Sequence, residues 1–139
     1  MFLVEKVLNG RINYPEIEFI PVTASTTYKK GSLIAITSGK AVLAGSKKAT
    51  HVCTEDYVAG SSDTHHIPCQ VLSDDVILRT TLAAGTSLVK GALMGITATA
   101  DEATGTALVS GKYGVEIVEL IGKSAGDNVL VKASATAGT

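Results

Sequence analysis

Residues 22–37 and 82–97 are two versions of one segment. Val22-Thr-Ala-Ser-Thr-Thr-Tyr-Lys-Lys-Gly31-Ser-Leu-Ile-Ala-Ile-Thr37 aligns without a gap on Leu82-Ala-Ala-Gly-Thr-Ser-Leu-Val-Lys-Gly91-Ala-Leu-Met-Gly-Ile-Thr97, with seven of sixteen positions identical. The shared unit is Lys-Gly-x-Leu-x-x-Ile-Thr. Asp74-Asp75-Val76-Ile77-Leu78-Arg79 reads like Asp127-Asn128-Val129-Leu130-Val131-Lys132 and closes each copy, giving quasi-repeats over about 22–79 and 82–132. Two copies of this length are too few and too long for a solenoid. They predict one domain built from two related modules, as the 139-residue length also favours.

Each module reads as short strands broken by turns. The run 33–37 is rich in β-branched residues and meets Ser38-Gly39. The run 40–44 then resumes and stops at Gly45-Ser46, a hairpin pattern. In the second copy 93–97 leads through a polar turn around Asp101-Glu102 into 106–110, a hairpin with a longer tip. Further strands are expected at 49–53, 67–72, 76–80, 113–120 and 129–133. No window carries a sustained helical stripe, and the β-branched content of 113–121, flanked by glycines, favours strand there too. A chain with 4% aromatic residues and no Trp fills its core with small aliphatic side chains. That suits thin sheets closed on themselves, so the expected fold is all-β, a small β-barrel or sandwich of two quasi-repeated hairpin modules. In both Lys-Gly pairs the glycine takes the positive φ of a tight turn while the lysine stays at the solvated rim.

The ends differ from the middle. Residues 1–20 lie outside both repeats, show no consistent period, and read as an extended N-terminal arm, with 21–139 as the barrel-like domain. Residues 133–139 are small and polar and read as a tail.

Charge and motifs narrow the function. With a net charge of −1 and lysines and arginines scattered singly or in pairs, no basic stripe exists for a run of phosphates, so nucleic-acid binding is not expected. The N-terminal run meets charge at Glu5 and Lys6 before any span long enough for a signal peptide or membrane helix, so a cytoplasmic site of synthesis and no membrane partner are expected. Two cysteines make no disulfide framework, and free thiols are expected. All three histidines and both cysteines fall in one stretch, His51-x-Cys53 and His65-His66-x-x-Cys69. Cys69 alternates with Ile67 and Val71 on an apolar face, the place of an ordinary core thiol. The alternative is a metal site drawn from His51, Cys53, His65, His66 and Cys69, although these spacings match no common zinc module. Between them, residues 55–66 form a polar, turn-rich insertion absent from the second copy, a natural location for function. Gly122-Lys123-Ser124 resembles the end of a phosphate-binding loop, but Ile117 stands where its leading glycine is needed. No nucleophile elbow or zinc-protease helix motif is present, and the acidic pairs Glu55-Asp56, Asp74-Asp75 and Asp101-Glu102 lie at turns. Neither an enzyme nor a cofactor is expected.

The run 21–82 resembles the small capsid decoration (cement) proteins of tailed phages, of the lambda head-decoration β-barrel type. The residues that carry the likeness are Tyr28-Lys-Lys-Gly31-Ser-Leu-Ile-Ala-Ile-Thr37, Gly39-Lys-Ala-Val-Leu-Ala44, His51-Val-Cys-Thr-Glu-Asp-Tyr57, Ile67-Pro-Cys-Gln-Val-Leu72 and Asp75-Val-Ile-Leu78. The pattern covers less than half the chain, and its cysteines and paired histidines depart from the family. The resemblance implies a virion structural protein on the outer capsid surface, usually a homotrimer, whose partner is the major capsid protein and whose task is capsid stabilisation. It also gives the N-terminal arm a role, with Phe2, Leu3, Val4, Tyr14, Pro15 and Phe19 as capsid contacts. Two other readings stand beside it. The Lys-Gly turns also resemble lipoyl- or biotinyl-type carrier barrels, although their Met-Lys-Met or Asp-Lys-Ala hairpin is absent, and a connector or tail component of a virion would share the same β physics.

Overall fold

The computed structural model describes residues 1–8 and 15–139. The described residues are all-β, with thirteen strands among them. They are β1 (Leu3–Val7), β2 (Ile17–Pro21), β3 (Thr27–Tyr28), β4 (Leu33–Thr37), β5 (Lys40–Leu43), β6 (His51–Cys53), β7 (Tyr57–Val58), β8 (His66–Val71), β9 (Val76–Thr81), β10 (Leu93–Ile96), β11 (Ala103–Ala107), β12 (Val115–Leu120) and β13 (Asn128–Ala133). A five-stranded sheet runs β2-β8-β6-β4-β5, a six-stranded sheet runs β1-β9-β13-β12-β10-β11, and β3 pairs with β7 in a small ribbon.

The two large sheets are wired alike. Setting β2, β8, β6, β4 and β5 against β9, β13, β12, β10 and β11 reproduces every neighbour relation, with β1 left over. Individual bonds repeat as well. Gly31 N–H donates to Cys53 C=O and Gly91 N–H to Ile117 C=O, both at 2.8 Å, while Ala44 N–H donates to Leu33 C=O and Leu108 N–H to Leu93 C=O. Both sheets curl in the same way, because the residue after the first strand bridges the far-edge strand in parallel: Val22 to Ala41, and Leu82 to Ala103. Each sheet is thereby closed at one end into a barrel-like unit.

The expected hairpins are present, and Gly31 and Gly91 hold φ of +83° and +87° in the Lys-Gly turns. Two details of the repeat are corrected. By position in its sheet β9 matches β2, and β13 matches β8, so the similarity of 74–79 to 127–132 joins strands that are not counterparts. The far strand of the second hairpin spans Ala103–Ala107 rather than 106–110, so its tip is shorter than expected.

The described N-terminal residues, 1–8 and 15–20, do not stand apart as an arm. β1 pairs antiparallel with β9 and β2 with β8. Phe2 is completely buried, and its N–H donates to Gly31 C=O at 2.8 Å. The cause is apolar burial: β1 offers Val4 and Val7 to the main core while its charged residues face out. The C-terminal residues are held too. Ser134 is buried and Gly138 bridges Ser110, so 133–139 is no free tail.

Two clusters make the core. Ile20, Val22, Tyr28, Ile34, Ala41, Cys53, Ala59, Ile67 and Cys69 fill the first unit. The larger cluster contains Leu82, Met94, Val115, Ile117, Val129 and Val131 of the second unit, and continues onto Leu33, Ala35 and Val52 of β4 and β6. Alternation in β4 explains this division, since Ile34 faces one cluster while Leu33 and Ala35 face the other. At the junction Leu33 N–H donates to Ala100 C=O at 2.7 Å, and Ala100 is buried in a left-handed conformation with φ +57°.

Candidate functional site

The Cys/His stretch resolves into separate pairs. Cys53 and Cys69 are free, buried and directly opposite each other on β6 and β8. A hydrogen bond to Cys53 and burial push the Cys69 thiol far up, so it stays protonated. His51, buried on β6, shares a hydrogen at 2.8 Å between Nε2 and Glu18 Oε2, with Thr50 Oγ1 at 2.8 Å from Nδ1. His65 instead meets Glu55 Oε1 at 2.7 Å and stacks on the Tyr57 ring, with centroids 4.1 Å apart. His66 is exposed on β8 opposite Pro21. Among the described residues no three His, Cys, Asp or Glu side chains converge in a way that could hold a metal ion.

The insertion 55–66 is organised by Asp63. Its carboxylate accepts from the Tyr57 hydroxyl at 2.6 Å and from the N–H groups of Gly60 and His65. The Tyr57 bond and the backbone donors hold its pKa down at about 2. Tyr28 pins the neighbouring β3. Its buried hydroxyl donates to Ala41 C=O at 2.6 Å and accepts from Thr23 N–H at 2.8 Å, which fastens the point where Val22 closes the unit. This network shapes the loop.

The residues expected to contact a capsid part company. Phe2 is buried in the core and Pro15 is buried, so neither is available to a partner. Leu3 is exposed, Val4 is half-buried against the main core, and Phe19 is the most open of the group at 68%. Tyr14 lies outside the described residues.

The surroundings of Phe19 were not evident from the sequence. Ile17 is also exposed, and Glu16 and Glu18 flank it, so Ile17 and Phe19 share the open face of β2 while Glu18 shares the other face with the buried Ile20. The alternation Ile-Glu-Phe-Ile-Pro was the available signal, with Pro21 marking a strand that belongs at an edge. A second missed feature is an apolar groove of about 500 Å³ beside β11, lined by Ile96, Thr104, Ala107, Leu108, Val109 and Tyr113 among others. Among the described residues no helix is long and apolar enough to cross a membrane.

No protein-family model matches the chain, and no curated protein matches it significantly.

Proposed function

We propose that this chain is a capsid decoration protein of a tailed phage. In this reading it is a homotrimer that binds the outer surface of the major capsid shell, stabilises it and catalyses nothing. The observation that supports the reading is where the resembling segments lie. The runs 28–37, 39–44, 51–57 and 67–72 supply β4, β5, β6 and β8 with the Tyr28 ribbon, and 75–78 enters β9 of the other sheet, so four of the five segments fall on one folded unit rather than on scattered loops. A rigid β body with exposed apolar residues on its rim suits work done by adhesion. Each contact adds modest apolar burial and strand pairing across subunit junctions, and many copies on one shell act together.

The test uses expanded tailed-phage shells stripped of surface proteins. Added chain is expected to co-sediment, to saturate at a fixed ratio to capsid subunits, and to raise the temperature at which the shells break. Failure to saturate, or unchanged shell stability, contradicts the proposal.

A further inference from the structure

The matching wiring of the two sheets exposes one asymmetry. In the six-stranded sheet, Leu82 N–H donates to Asp127 C=O, and the register runs from Asn128↔Thr81 to Val131↔Leu78. Antiparallel bonding alternates, so Leu78, Thr80 and Leu82 spend their backbone groups on β13 while Ile77 and Arg79 turn theirs the other way. β1 takes them, with Lys6 opposite Ile77 and Leu3 opposite Arg79.

The same count on β2 gives the same parity. Val71 N–H donates to Glu16 C=O and Val22 N–H to His65 C=O, with Ile17 opposite Gln70 and Pro21 opposite His66. Glu16, Glu18, Ile20 and Val22 therefore bond β8, while Ile17, Phe19 and Pro21 direct their backbone groups outward. Ile17 and Phe19 stand where Ile77 and Arg79 stand in the other unit, yet among the described residues no strand pairs with that side of β2. Among the described residues, the other edges of the two large sheets are bridged or interrupted. Val22 bridges Ala41 of β5, Leu82 bridges Ala103 of β11, and the register of β1 is broken around Glu5.

We propose that the outward edge of β2 is a strand-addition site for an extended segment of alternating apolar and basic residues. β1 on β9 is the template: an antiparallel strand bonding the N–H and C=O groups of Ile17 and Phe19. Charge specifies the occupant. The face carrying Ile17 and Phe19 takes apolar side chains, and the other face, where Glu16 and Glu18 precede the buried Ile20, takes lysine or arginine beside the two carboxylates. Glu18 gives Oε2 to His51 but keeps half of its side chain open to solvent, leaving a carboxylate oxygen for an incoming cation. Pro21, which has no N–H, ends the site just before Val22 closes the barrel. Resting on the decoration reading, the source of this strand is the shell subunit.

The probe is an end-capped Leu-Lys-Leu-Lys-Leu-Lys peptide titrated into the isotope-labelled full chain, with amide hydrogen exchange read by NMR. The expected result is exchange at Ile17 and Phe19 slowed by about tenfold or more at saturation, with little change on β13. Glu18→Gln is expected to weaken binding several-fold, and a peptide N-methylated at alternate residues is expected to give no protection. Three results overturn the assignment: no protection at saturating peptide, both amides already protected in the free chain at every dilution, or protection that rises with chain concentration alone, which assigns the edge to a second copy. Shell sedimentation separates the two ideas. Peptide protection without shell binding removes the decoration reading alone, and shell binding without peptide protection removes the edge assignment alone.

Discussion

Phe19 and Arg79 hold the same position in the two units, and of the two only Arg79 has a described strand on its outward side. Leu3 lies opposite Arg79, and Glu5 grips the guanidinium through two bonds of 2.8 and 2.9 Å, which lowers the Glu5 pKa and raises that of Arg79. Phe19 is open to solvent. The same backbone position is thus an internal joint in one unit and exposed surface in the other.

Burial, not charge, holds β1 in place. Phe2→Ala empties a fully enclosed site and is expected to cost about 3–5 kcal/mol in urea unfolding. Phe19→Ala removes an exposed ring and is expected to fall within about 0.5 kcal/mol of the parent. Arg79→Ala is expected to cost far less than Phe2→Ala, because its pair with Glu5 is solvated. Equal losses at Phe2 and Phe19 contradict this assignment.

Closure of the first unit draws on the Tyr28 hydroxyl, beside Thr23 Oγ1, which also donates to Ala41 C=O at 2.8 Å. Tyr28→Phe leaves Ala41 C=O without that donor and Thr23 N–H without its acceptor, and is expected to cost about 1–3 kcal/mol. Faster amide exchange is expected at Thr23 and Val22, with β13 unaffected.

The two Lys-Gly glycines differ in their surroundings. Gly91→Ala meets open space and bears only the left-handed backbone penalty, about 1–2 kcal/mol. At Gly31 an added methyl also runs into the Met1 side chain and Phe2 N–H, so Gly31→Ala is expected to be the more damaging by chemical denaturation, with disorder of β1 visible by NMR.

Acid should loosen the insertion around Asp63. Its folded pKa of about 2 lies below the ordinary aspartate value of 3.8, so the unfolded chain binds the proton more readily. The stabilisation is complete above about pH 4 and is lost as pH falls toward 2. Asp63→Asn is expected to flatten this part of the stability profile. An unchanged slope contradicts the role of the carboxylate.

The fold class was legible because its signals are local. Leu33 to Thr37 is β-branched, Ser38-Gly39 is a turn, and the Lys-Gly pairs mark positive φ. The place of the N-terminal residues was not, since β1 and β2 draw their partners from β9 and β8 far along the chain. Phe2 looked like an exposed contact because nothing near it in sequence shows that Gly31 accepts its N–H. The false match of 74–79 with 127–132 has a similar cause. Both are acidic turns leading into apolar strands, and composition cannot distinguish the first strand of a sheet from the second. Of the Cys/His stretch, the core thiols were readable from alternation with Ile67 and Val71. The Glu18 partner of His51 and the Asp63 hub of the insertion depend on tertiary register.

Antibody-gold labelling of intact tailed particles from the source, followed by cryo-electron microscopy of the same particles, bears most directly on the proposed function. The expected result is label over the outer surface of the head and β density of this chain bridging neighbouring capsid subunits. Label confined to the tail or connector, or particles that lack the chain altogether, contradicts it.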